Sequence, residues 1–492
     1  ILIMKRLFIL CLIFYVNIAY SKTIIVENST PINNLSQAVK TAIAGDTILF
    51  RAGVYPGGEY ISNLKGTNNK KIYIIAENND VLIKGGNTAW QISDPENLLI
   101  KGFRFEGQSA NGVNIDDAGT YNTPATYIDI IDCKFGKINA SGNNDLLKLS
   151  GIDNLKIENC EFYDASAGGS MIDMVGCHNV EIYDNSFVNA GSNAIQAKGG
   201  TKDVIIQRNY FNKCGQRAIN IGGSTGLEFF RPLNANYESA NIYVYSNIFI
   251  GSIAPIAYVG TINSEVINNT IINPEKWVIR ILQENTNEGF AKCSNNSFIN
   301  NVVYHGNNAA NPSVNIGGNT MPETFIFSNN VWYNHEDTYW AGPNLPTSDK
   351  NFIYADPLFN DYLNKDFSLK ANSPAIGKGY NVSAPDSDFN KRKFKNPPSS
   401  GAFEYYDDSG IIDSDENLKY YFDFENSQLH LFFDDYCQTR NIDIVSINGD
   451  YIYNRHLITE KNVVIELKNT TPNQPVFAII KDCKKNIALK HI

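Results

Sequence analysis

A five-residue frame repeats six times along the chain and restricts what it can fold into. In every copy the first and third residues are apolar, and the second is polar in all copies but one. A period of two residues is typical of a β-strand with one buried face. The copies are residues 147–151 (LKLSG), 172–176 (IDMVG), 195–199 (IQAKG), 219–223 (INIGG), 256–260 (IAYVG) and 279–283 (IRILQ).

The frame belongs to a longer unit that recurs every 22 to 38 residues. A second strand-like block follows most copies about 10 residues later, as at 179–187 (NVEIYDNSF), 203–211 and 241–249. Short strands repeating at this period, with no helix between them, predict an all-β parallel β-helix. Such a solenoid accommodates 492 residues around one continuous core.

Stacking of successive coils brings the second positions of the frame together. Equivalent residues would lie about 4.8 Å apart, which is the spacing of paired strands. Because first and third positions face the core, we expect the second positions to form an external row, called the outward row below. Its members are Lys148, Asp173, Gln196, Asn220, Ala257 and Arg280.

The charge of the chain points to an anionic ligand rather than to nucleic acid. The formal net charge is -10, and no basic run is present, so a nucleic-acid partner is not expected. Four cations nevertheless fall near one face, which suggests a local site for an anion. They are Lys148, Lys198, Arg217 and Arg280. The alternative, that they are ordinary solvated side chains, stays open.

The first 21 residues are typical of a secretory signal peptide. Two cations at positions 5 and 6 precede an apolar run over residues 7–18, and small residues close the segment at 19–21. The apolar run is too short to span a bilayer. We therefore expect cleavage before Lys22 and a mature protein that is secreted or held at the cell surface.

Other features predict the ends and interior of the solenoid. Residues 35–44 (LSQAVKTAIA) have helical spacing and would cap the first coil. The solenoid domain is predicted over 22–406, followed by an acidic linker over 407–417 and a small β-sandwich-like domain over 418–492. Two rows of identical residues are interpreted as a core stack and an internal amide ladder. They are Phe105, Phe135, Phe162, Phe187, Phe211 and Phe249, and Asn185, Asn209, Asn247, Asn269, Asn301 and Asn330.

Two insertions interrupt the repeat beside the cationic face. One follows Gly222 and ends near Glu238, and the other occupies residues 283–293. Insertions between repeats form loops that often wall a binding face. On the first insertion, Arg231 and Glu228 are predicted either to wall the groove and contact substrate or to pair with each other.

Several segments resemble a known group of proteins. These are the helix-Gly-Asp-strand opening, the Asn-x-Phe coils, and the closing segments at 356–359 (DPLF), 373–376 (SPAI) and 401–404 (GAFE). Over residues 23–406 they resemble secreted right-handed parallel β-helix proteins of the polysaccharide lyase and glycosidase type. The resemblance implies a right-handed solenoid and a polysaccharide partner.

Within that group, consecutive coils carrying Lys198 and Arg217 are similar to the chondroitinase B and alginate lyase family. That family uses a lysine base, an arginine on the next coil and a Ca²⁺ ion that neutralises the uronate carboxylate. The resemblance implies Lys198 and Arg217 as catalytic residues, with Asn220 in the family's arginine slot. It also implies that Ca²⁺ takes part, with Asp173 as the nearest acidic ligand.

The tail from Leu418 resembles the C-terminal sorting domain of type IX secretion substrates of Bacteroidetes. The similarity lies in residues 444–449 (IVSING), 476–480 (VFAII) and the lysine-rich end at 484–490. It implies that the secretion machinery is a partner of this domain. We otherwise expect a monomer.

The residues themselves suggest how elimination could occur. Removing the proton beside a uronate carboxylate needs a base and a cation that stabilises the enolate. Lys198 is the candidate base, and Arg217 is predicted to lie within its reach, where a like charge would favour the neutral amine. Arg217 and Arg280 are candidate carboxylate binders, and Lys148, Asn220 and Gln196 are further binding and orienting groups. The rival interpretation is that Lys198 pairs with Asp173 in a stabilising ladder.

Two other functions stay open. A glycoside hydrolase needs two carboxylates flanking the bond, and the candidates are Asp173, Glu228, Glu238 and Glu284. Glu284 is also a candidate substrate contact, or a salt-bridge partner of Arg280. Trp277 and Tyr258 could stack on sugar rings or simply be packed. A carbohydrate-binding solenoid without catalysis is the third function, because β-helices serve all three.

Overall fold

A computed structural model describes residues 21–307 and 313–406, together with seven strands between residues 418 and 490. The chain divides into two compact units, Ile1–Tyr405 and Tyr406–Ile492. The predicted signal peptide and the predicted linker over 407–417 lie outside the described residues. Within the described part, no helix has the length and apolar character needed to cross a membrane.

The first unit is a parallel β-solenoid, as the sequence predicts. Each complete coil contributes one strand to each of three long sheets, in the order first, second, third, and every pairing within these sheets is parallel. Thus Thr47–Phe50, Gly53–Pro56 and Glu59–Ser62 form one coil, and Ile72–Ala76 begins the next. The core lies inside the triangular section, where apolar side chains of all three sheets meet.

The strands follow one another along the solenoid axis in each sheet. The first sheet contains Thr23–Val26, Thr47–Phe50, Ile72–Ala76, Glu96–Lys101, Ala125–Ile131, Ile152–Glu158, His178–Tyr183, Thr201–Gln207, Ser239–Tyr245, Thr261–Ile262, Glu265–Ile267, Ser297–Ile299, Ile326–Ser328 and Asp349–Lys350. The second contains Gly53–Pro56, Val81–Lys84, Arg104–Glu106, Lys134–Gly136, Glu161–Tyr163, Ser186–Ala190, Tyr210–Cys214, Ile248–Ile250, Thr270–Ile272, Val302–His305, Val331–Asn334 and Ile353–Tyr354. The third contains Glu59–Ser62, Trp90–Ser93, Val113–Asp116, Leu147–Ser150, Ser170–Val175, Asn193–Lys198, Arg217–Gly222, Ala254–Val259, Ile279–Leu282 and Val314–Ile316.

Both predicted rows lie inside the solenoid. Rings of the phenylalanine row stack nearly parallel, with centroids 5.0 Å apart at Phe105 and Phe135 and 4.7 Å apart at Phe211 and Phe249. In the asparagine row, each side-chain oxygen accepts from the amide group of the preceding coil, as from Asn209 Nδ2 to Asn247 Oδ1 at 3.1 Å. Identical groups at the strand spacing thus satisfy one another.

The helix at the first coil is shorter than predicted. Only Leu35–Ala38 is helical, with the Asn34 side chain accepting from Gln37 N at the N-terminus. The chain then tightens into bonds that span three residues, such as Thr41 N to Ala38 O. The buried carboxylate of Asp46 stabilises this turn by accepting a hydrogen bond from Ile43 N. The capping role is retained, since Leu35 and Ala38 belong to the core.

Short elements complete the first unit. The 3-10 helices are Leu227–Phe229 and Pro322–Thr324, and a two-stranded antiparallel sheet pairs Phe359–Asp361 with Asp366–Leu369.

The second unit is all-β, as predicted. One antiparallel sheet contains Leu418–Asp423, Gln428–Phe433 and Asn462–Glu466, and the other contains Tyr451–Ile458, Arg440–Ser446, Val476–Lys481 and Asn486–Lys490. Among its described side chains, Leu429, Leu431, Ile442 and Ile444 are buried.

Candidate functional site

The six frame copies lie on adjacent strands of the third sheet and in the predicted register. Lys148 pairs with Asp173, Asp173 with Gln196, and the row continues through Asn220 and Ala257 to Arg280. Five strand spacings of about 4.8 Å give the row a length of roughly 24 Å. The row also continues in both directions, to Asn114 before Lys148 and to Asn315 after Arg280.

The middle of the row is less exposed than a solvent-facing surface would be. Asp173, Asn220 and Ala257 are 3%, 1% and 0% exposed, although their side chains point away from the core. The prediction of a fully external row is therefore wrong. The chain at the start of the first insertion lies over this face, since a Cβ at Gly223 would meet the side chains of Gln196 and Lys198. We call this face of the third sheet, with the insertions beside it, the groove.

A cluster of two lysines and two aspartates occupies one end of the groove. Lys198 Nζ lies 3.0 Å from Asp173 Oδ1, and Lys148 Nζ lies 3.7 Å from Asp173 Oδ2. Lys148 Nζ also lies 3.4 Å from Asp145 Oδ2. We call Asp145, Lys148, Asp173 and Lys198 the lysine cluster. Both carboxylates are buried, so the ammonium groups are their counter-ions.

Burial and neighbouring charges together determine the pKa shifts of Asp145 and Lys148. Burial, followed by the charge of Asp173, raises the pKa of Asp145 above its usual range. Burial alone would lower the pKa of Lys148, but the carboxylates of Asp173 and Asp145 outweigh it and raise that pKa. Lys148 therefore stays a cation across the physiological range.

Arg217 and Glu284 form a second charged group farther along the row. Arg217 Nη2 donates to Glu284 Oε1 at 2.9 Å, and Arg217 Nη1 donates to Asn220 Oδ1 at 2.9 Å. Arg280 Nε donates to Asn315 Oδ1 at 3.0 Å. We call these five residues the arginine cluster. Burial, and then the charge of Arg217, lowers the pKa of Arg280, so the two guanidinium groups are close enough to repel.

The side chain of Arg217 thus differs from its predicted placement. Its guanidinium group is directed to Asn220 and Glu284, whereas the partner of Lys198 is Asp173. The like-charge contact predicted between Arg217 and Lys198 is not among the contacts of the described residues. The ion pair of the rival ladder interpretation is present.

Trp277 lies at the arginine cluster with one aromatic face against a cation. Its ring centroid is 4.8 Å from Arg280 Cζ and 4.3 Å from Lys276 Nζ. The residue is half-buried.

Gln196 lies between the two clusters and is held in one orientation. Its Oε1 accepts from Ser170 Oγ at 3.2 Å and from Asn193 Nδ2 at 3.3 Å. Gly223 passes directly over it, since a Cβ at position 223 would lie 2.7 Å from Gln196 Nε2 and 3.3 Å from Lys198 Cδ. A side chain at position 223 would displace Gln196, and the φ of 155° at Gly223 also favours glycine where the first insertion leaves the groove.

The two insertions pack together into a single wall. Phe230 and Phe290 meet edge to face with centroids 5.6 Å apart, and Ala291 N donates to Asn236 O at 2.7 Å. The prediction that both insertions flank the cationic face is supported by these contacts, because both leave the third sheet at the strands of Asn220 and Arg280.

Glu238 ties this wall to the groove, a role that the sequence did not indicate. Its buried carboxylate accepts from Gly199 N at 3.0 Å and from Thr225 N at 2.9 Å, and Asn285 Nδ2 lies 3.4 Å away. Gly199 directly follows Lys198, so Glu238 fixes the backbone at the candidate base. The only sequence signal was an acid at the end of an insertion.

Arg231 anchors the wall instead of facing the groove. Its guanidinium group forms a bidentate pair with buried Asp117, with Nη2 to Oδ1 at 2.7 Å, and it covers the Tyr121 ring at 4.6 Å. A Cβ at Gly176 would lie 2.4 Å from Arg231 Cβ, so the missing side chain makes room for it. We therefore replace the predicted substrate contact by an anchoring role, and the predicted pair of Arg231 with Glu228 is wrong.

Two further candidates are excluded by burial. Tyr258 is 0% exposed and its hydroxyl donates to Ser297 O at 2.8 Å inside the core, so it cannot stack on a sugar. Glu238 is likewise 0% exposed, so it cannot serve as one of two carboxylates flanking a glycosidic bond.

The residues around Asp173 do not fit a calcium site. Calcium takes six to eight oxygen ligands, usually with several carboxylates. Within the described residues no group of three or more His, Cys, Asp or Glu side chains is placed to hold a metal. The two ammonium groups of Lys148 and Lys198 already lie against Asp173.

One protein family is similar in sequence to part of this chain. Residues 28–223 match the family model of chondroitinase B. The match covers less than half of the chain. It includes the lysine cluster and Arg217 and ends at Gly223, the first residue of the first insertion. No curated protein matches the chain. The match and the solenoid together support a β-helix protein similar to polysaccharide lyases.

Solved structures share the architecture at low identity. A pectate lyase is 14% identical, covering 79% of this chain and 98% of its own, with a TM-score of 0.44. An alginate lyase from Paenibacillus sp. is 16% identical, covering 68% and 99%, with a TM-score of 0.40. A mannuronan C-5 epimerase A-module from Azotobacter vinelandii is 12% identical, covering 65% and 95%, with a TM-score of 0.46. A likeness at this level carries no argument about activity.

Proposed function

We propose that this protein is a polysaccharide lyase that cleaves an anionic, uronate-containing polysaccharide by β-elimination in the groove of the third sheet. The observation that carries the proposal is the set of four cationic side chains, Lys148, Lys198, Arg217 and Arg280, along one face of a chain whose net charge is -10. The family match over residues 28–223 supports the same reaction class.

Lys198 is the base in this proposal. After Lys198 has released a proton to solvent, its neutral amine removes the proton from carbon 5 of the uronate. The electron pair of that bond forms the double bond between carbons 4 and 5, the bond from carbon 4 to the leaving oxygen breaks, and the leaving oxygen takes a proton from the new ammonium group or from water. Asp173, 3.0 Å from Lys198 Nζ, stabilises the ammonium group that results. The side chain of Lys198 is 15% exposed, so its end is open to a bound chain.

The arginine cluster binds substrate carboxylates. Arg217 pairs with Glu284, whose side chain is 35% exposed, so an incoming carboxylate can replace that counter-ion. Arg280 lies beside Arg217 with no carboxylate hydrogen-bonded to it among the described contacts, and gains most from an anion. Gln196 orients the bound chain between the clusters, and buried Asn220 positions the guanidinium group of Arg217. The half-buried ring of Trp277 adds an apolar contact beside Arg280.

A screen of anionic and neutral polysaccharides tests the proposal. Each reaction is followed both by ultraviolet absorbance, which reports the new double bond, and by reducing ends, which report any cleavage. We expect both signals together on a uronate polymer and neither on a neutral one. Reducing ends without absorbance would mean hydrolysis, and binding without either signal would mean a non-catalytic solenoid.

We also propose that the protein is exported and acts as a monomer outside the cell or at its surface. The proposal rests on the signal-like residues 1–21 and on the resemblance of the tail to a sorting domain. The mass of the protein recovered from the culture medium tests it. Loss of residues 1–21, with the tail removed or modified, is expected, whereas an unprocessed protein inside the cell would contradict it.

A further inference from the structure

Lys148 occupies the position between two buried carboxylates. Its Nζ lies 3.4 Å from Asp145 Oδ2 and 3.7 Å from Asp173 Oδ2, and the two aspartate side chains are 1% and 4% exposed. The backbone adds a single bond to this pair, from Ser170 N to Asp145 Oδ1 at 2.8 Å. Two ionised carboxylates that are close together and excluded from water need a cation between them to offset their repulsion and the cost of burial.

The charges of the lysine cluster already cancel. Asp145 and Asp173 contribute two negative charges, and Lys148 and Lys198 contribute two positive ones. A divalent ion bound here would leave an excess of two positive charges, and its ligand sphere would have to displace an ammonium group. The cluster is therefore complete without a metal.

We propose that Lys148 is a built-in cation that takes the position a divalent ion would fill between Asp145 and Asp173, so that the groove is assembled without metal. The inference deepens the proposed function and rests on it for the role of the groove as the substrate site. About a third of the Lys148 side chain (32%) is exposed, so the ammonium group also presents its charge to an anion in the groove.

Thermal unfolding of the full-length protein with CaCl₂ or with EDTA tests this inference without any substrate. We expect the melting temperature of the wild type to be the same in both. Lys148→Met leaves the two carboxylates facing each other and should lower the melting temperature by several degrees. CaCl₂ should restore part of that loss, because two carboxylates that have lost a counter-ion attract a divalent cation even without a full set of calcium ligands.

Lys202→Met is the matched control. Lys202 lies at the surface, 3.9 Å from Asp203, and its side chain is 42% exposed. This variant should unfold at the wild-type temperature, and CaCl₂ should not change that temperature. Two further variants serve if Lys148→Met fails to fold. Lys148→Arg keeps the cation, and Asp145→Asn/Lys148→Met removes one of the facing charges. Both should fold, and CaCl₂ should not change the melting temperature of either.

Three results would overturn the inference. These are a wild type stabilised by CaCl₂ or destabilised by EDTA, a Lys148→Met variant as stable as Lys202→Met, and a destabilised Lys148→Met that calcium does not restore. The proposed function fails separately, through the absence of an unsaturated product from the wild type. Unfolding temperatures and product formation therefore report on the two proposals independently.

Discussion

At the scale of single residues, Lys198 carries both a structural charge and the proposed proton transfer. An arginine at this position keeps the ion pair with Asp173, but its guanidinium group does not deprotonate in proteins. Lys198→Arg should therefore keep the wild-type melting temperature and lower turnover by roughly 10²–10⁴-fold, the usual contribution of general base catalysis. Initial rates and thermal unfolding of the same preparation check both halves.

Replacing Lys198 by alanine removes both the ion pair with Asp173 and the proposed base. Lys198→Ala should lose turnover and also about 1–3 kcal/mol of the free energy of unfolding, because buried Asp173 loses a charged partner. Adding Asp173→Asn should recover stability without recovering activity. Wild-type turnover in Lys198→Arg would mean that Lys198 is not the base and that its ion pair with Asp173 is only structural.

The counter-ion of Arg217 gives a second residue-level prediction. Glu284→Gln removes the carboxylate that competes with substrate for Arg217, so KM for a polyanion should fall about fivefold, as expected for a surface ion pair of about 1 kcal/mol. Arg217→Ala should raise KM about tenfold or more, through loss of charged hydrogen bonds. Glu288→Gln, an exposed acid of the same insertion, is the control and should leave KM unchanged.

At the scale of elements, the asparagine row ends on a buried acid. Asp349 Oδ2 accepts from Asn330 Nδ2 at 2.8 Å and from Trp332 Nε1 at 2.9 Å, while Asp349 Oδ1 has no hydrogen-bond partner. Burial raises the pKa of Asp349 to about 6. Because the folded state binds the proton more tightly than the unfolded state, stability is full at low pH and is lost as pH rises towards 6.

Asp349→Asn should remove that loss. The amide oxygen can keep both hydrogen bonds, and no charge is buried at neutral pH. The variant should match the wild type near pH 4 and exceed it by up to about 3 kcal/mol at pH 7, in chemical denaturation at both values. Asp80→Asn, at an exposed position, should change neither. A variant less stable than the wild type at pH 7 would mean that the charge itself is needed there.

Elements were predictable wherever the repeat is local. The alternation in 147–151 and its copies determines which residues face inward, so the register from Lys148 to Arg280 follows from the sequence. The insertions carry no such period. Arg231 meets Asp117 across 114 positions of sequence, and only folding of the wall across the coils brings them together. The helix after Asn34 was overestimated because its spacing gives no sign of the Asp46 bonds that close the turn.

The site shows the same limit. The repeat placed Lys198 and Asp173 correctly on adjacent coils, because register determines main-chain position. Side-chain direction is not determined by register. Arg217 turns to Glu284, 67 positions away, and Glu238 enters the site from the end of an insertion, so neither contact could be read from the repeat.

At the scale of the whole molecule, the groove belongs to the first unit alone. The core of that unit includes Phe403 and ends with the segment before Tyr405, whereas the tail strands form sheets of their own. Removal of residues 409–492 should therefore leave the solenoid folded and its turnover unchanged. Circular dichroism melting and initial rates check this prediction. Loss of the solenoid transition on truncation would show that the tail stabilises it.

Elimination at the groove is tested most directly by the masses of the products from a defined oligosaccharide of the preferred uronate polymer. Elimination adds no water, so the masses of the two fragments should sum to the mass of the substrate, and Lys198→Arg should yield neither fragment. Fragments whose masses sum to substrate plus one water would contradict a lyase and assign hydrolysis to this solenoid.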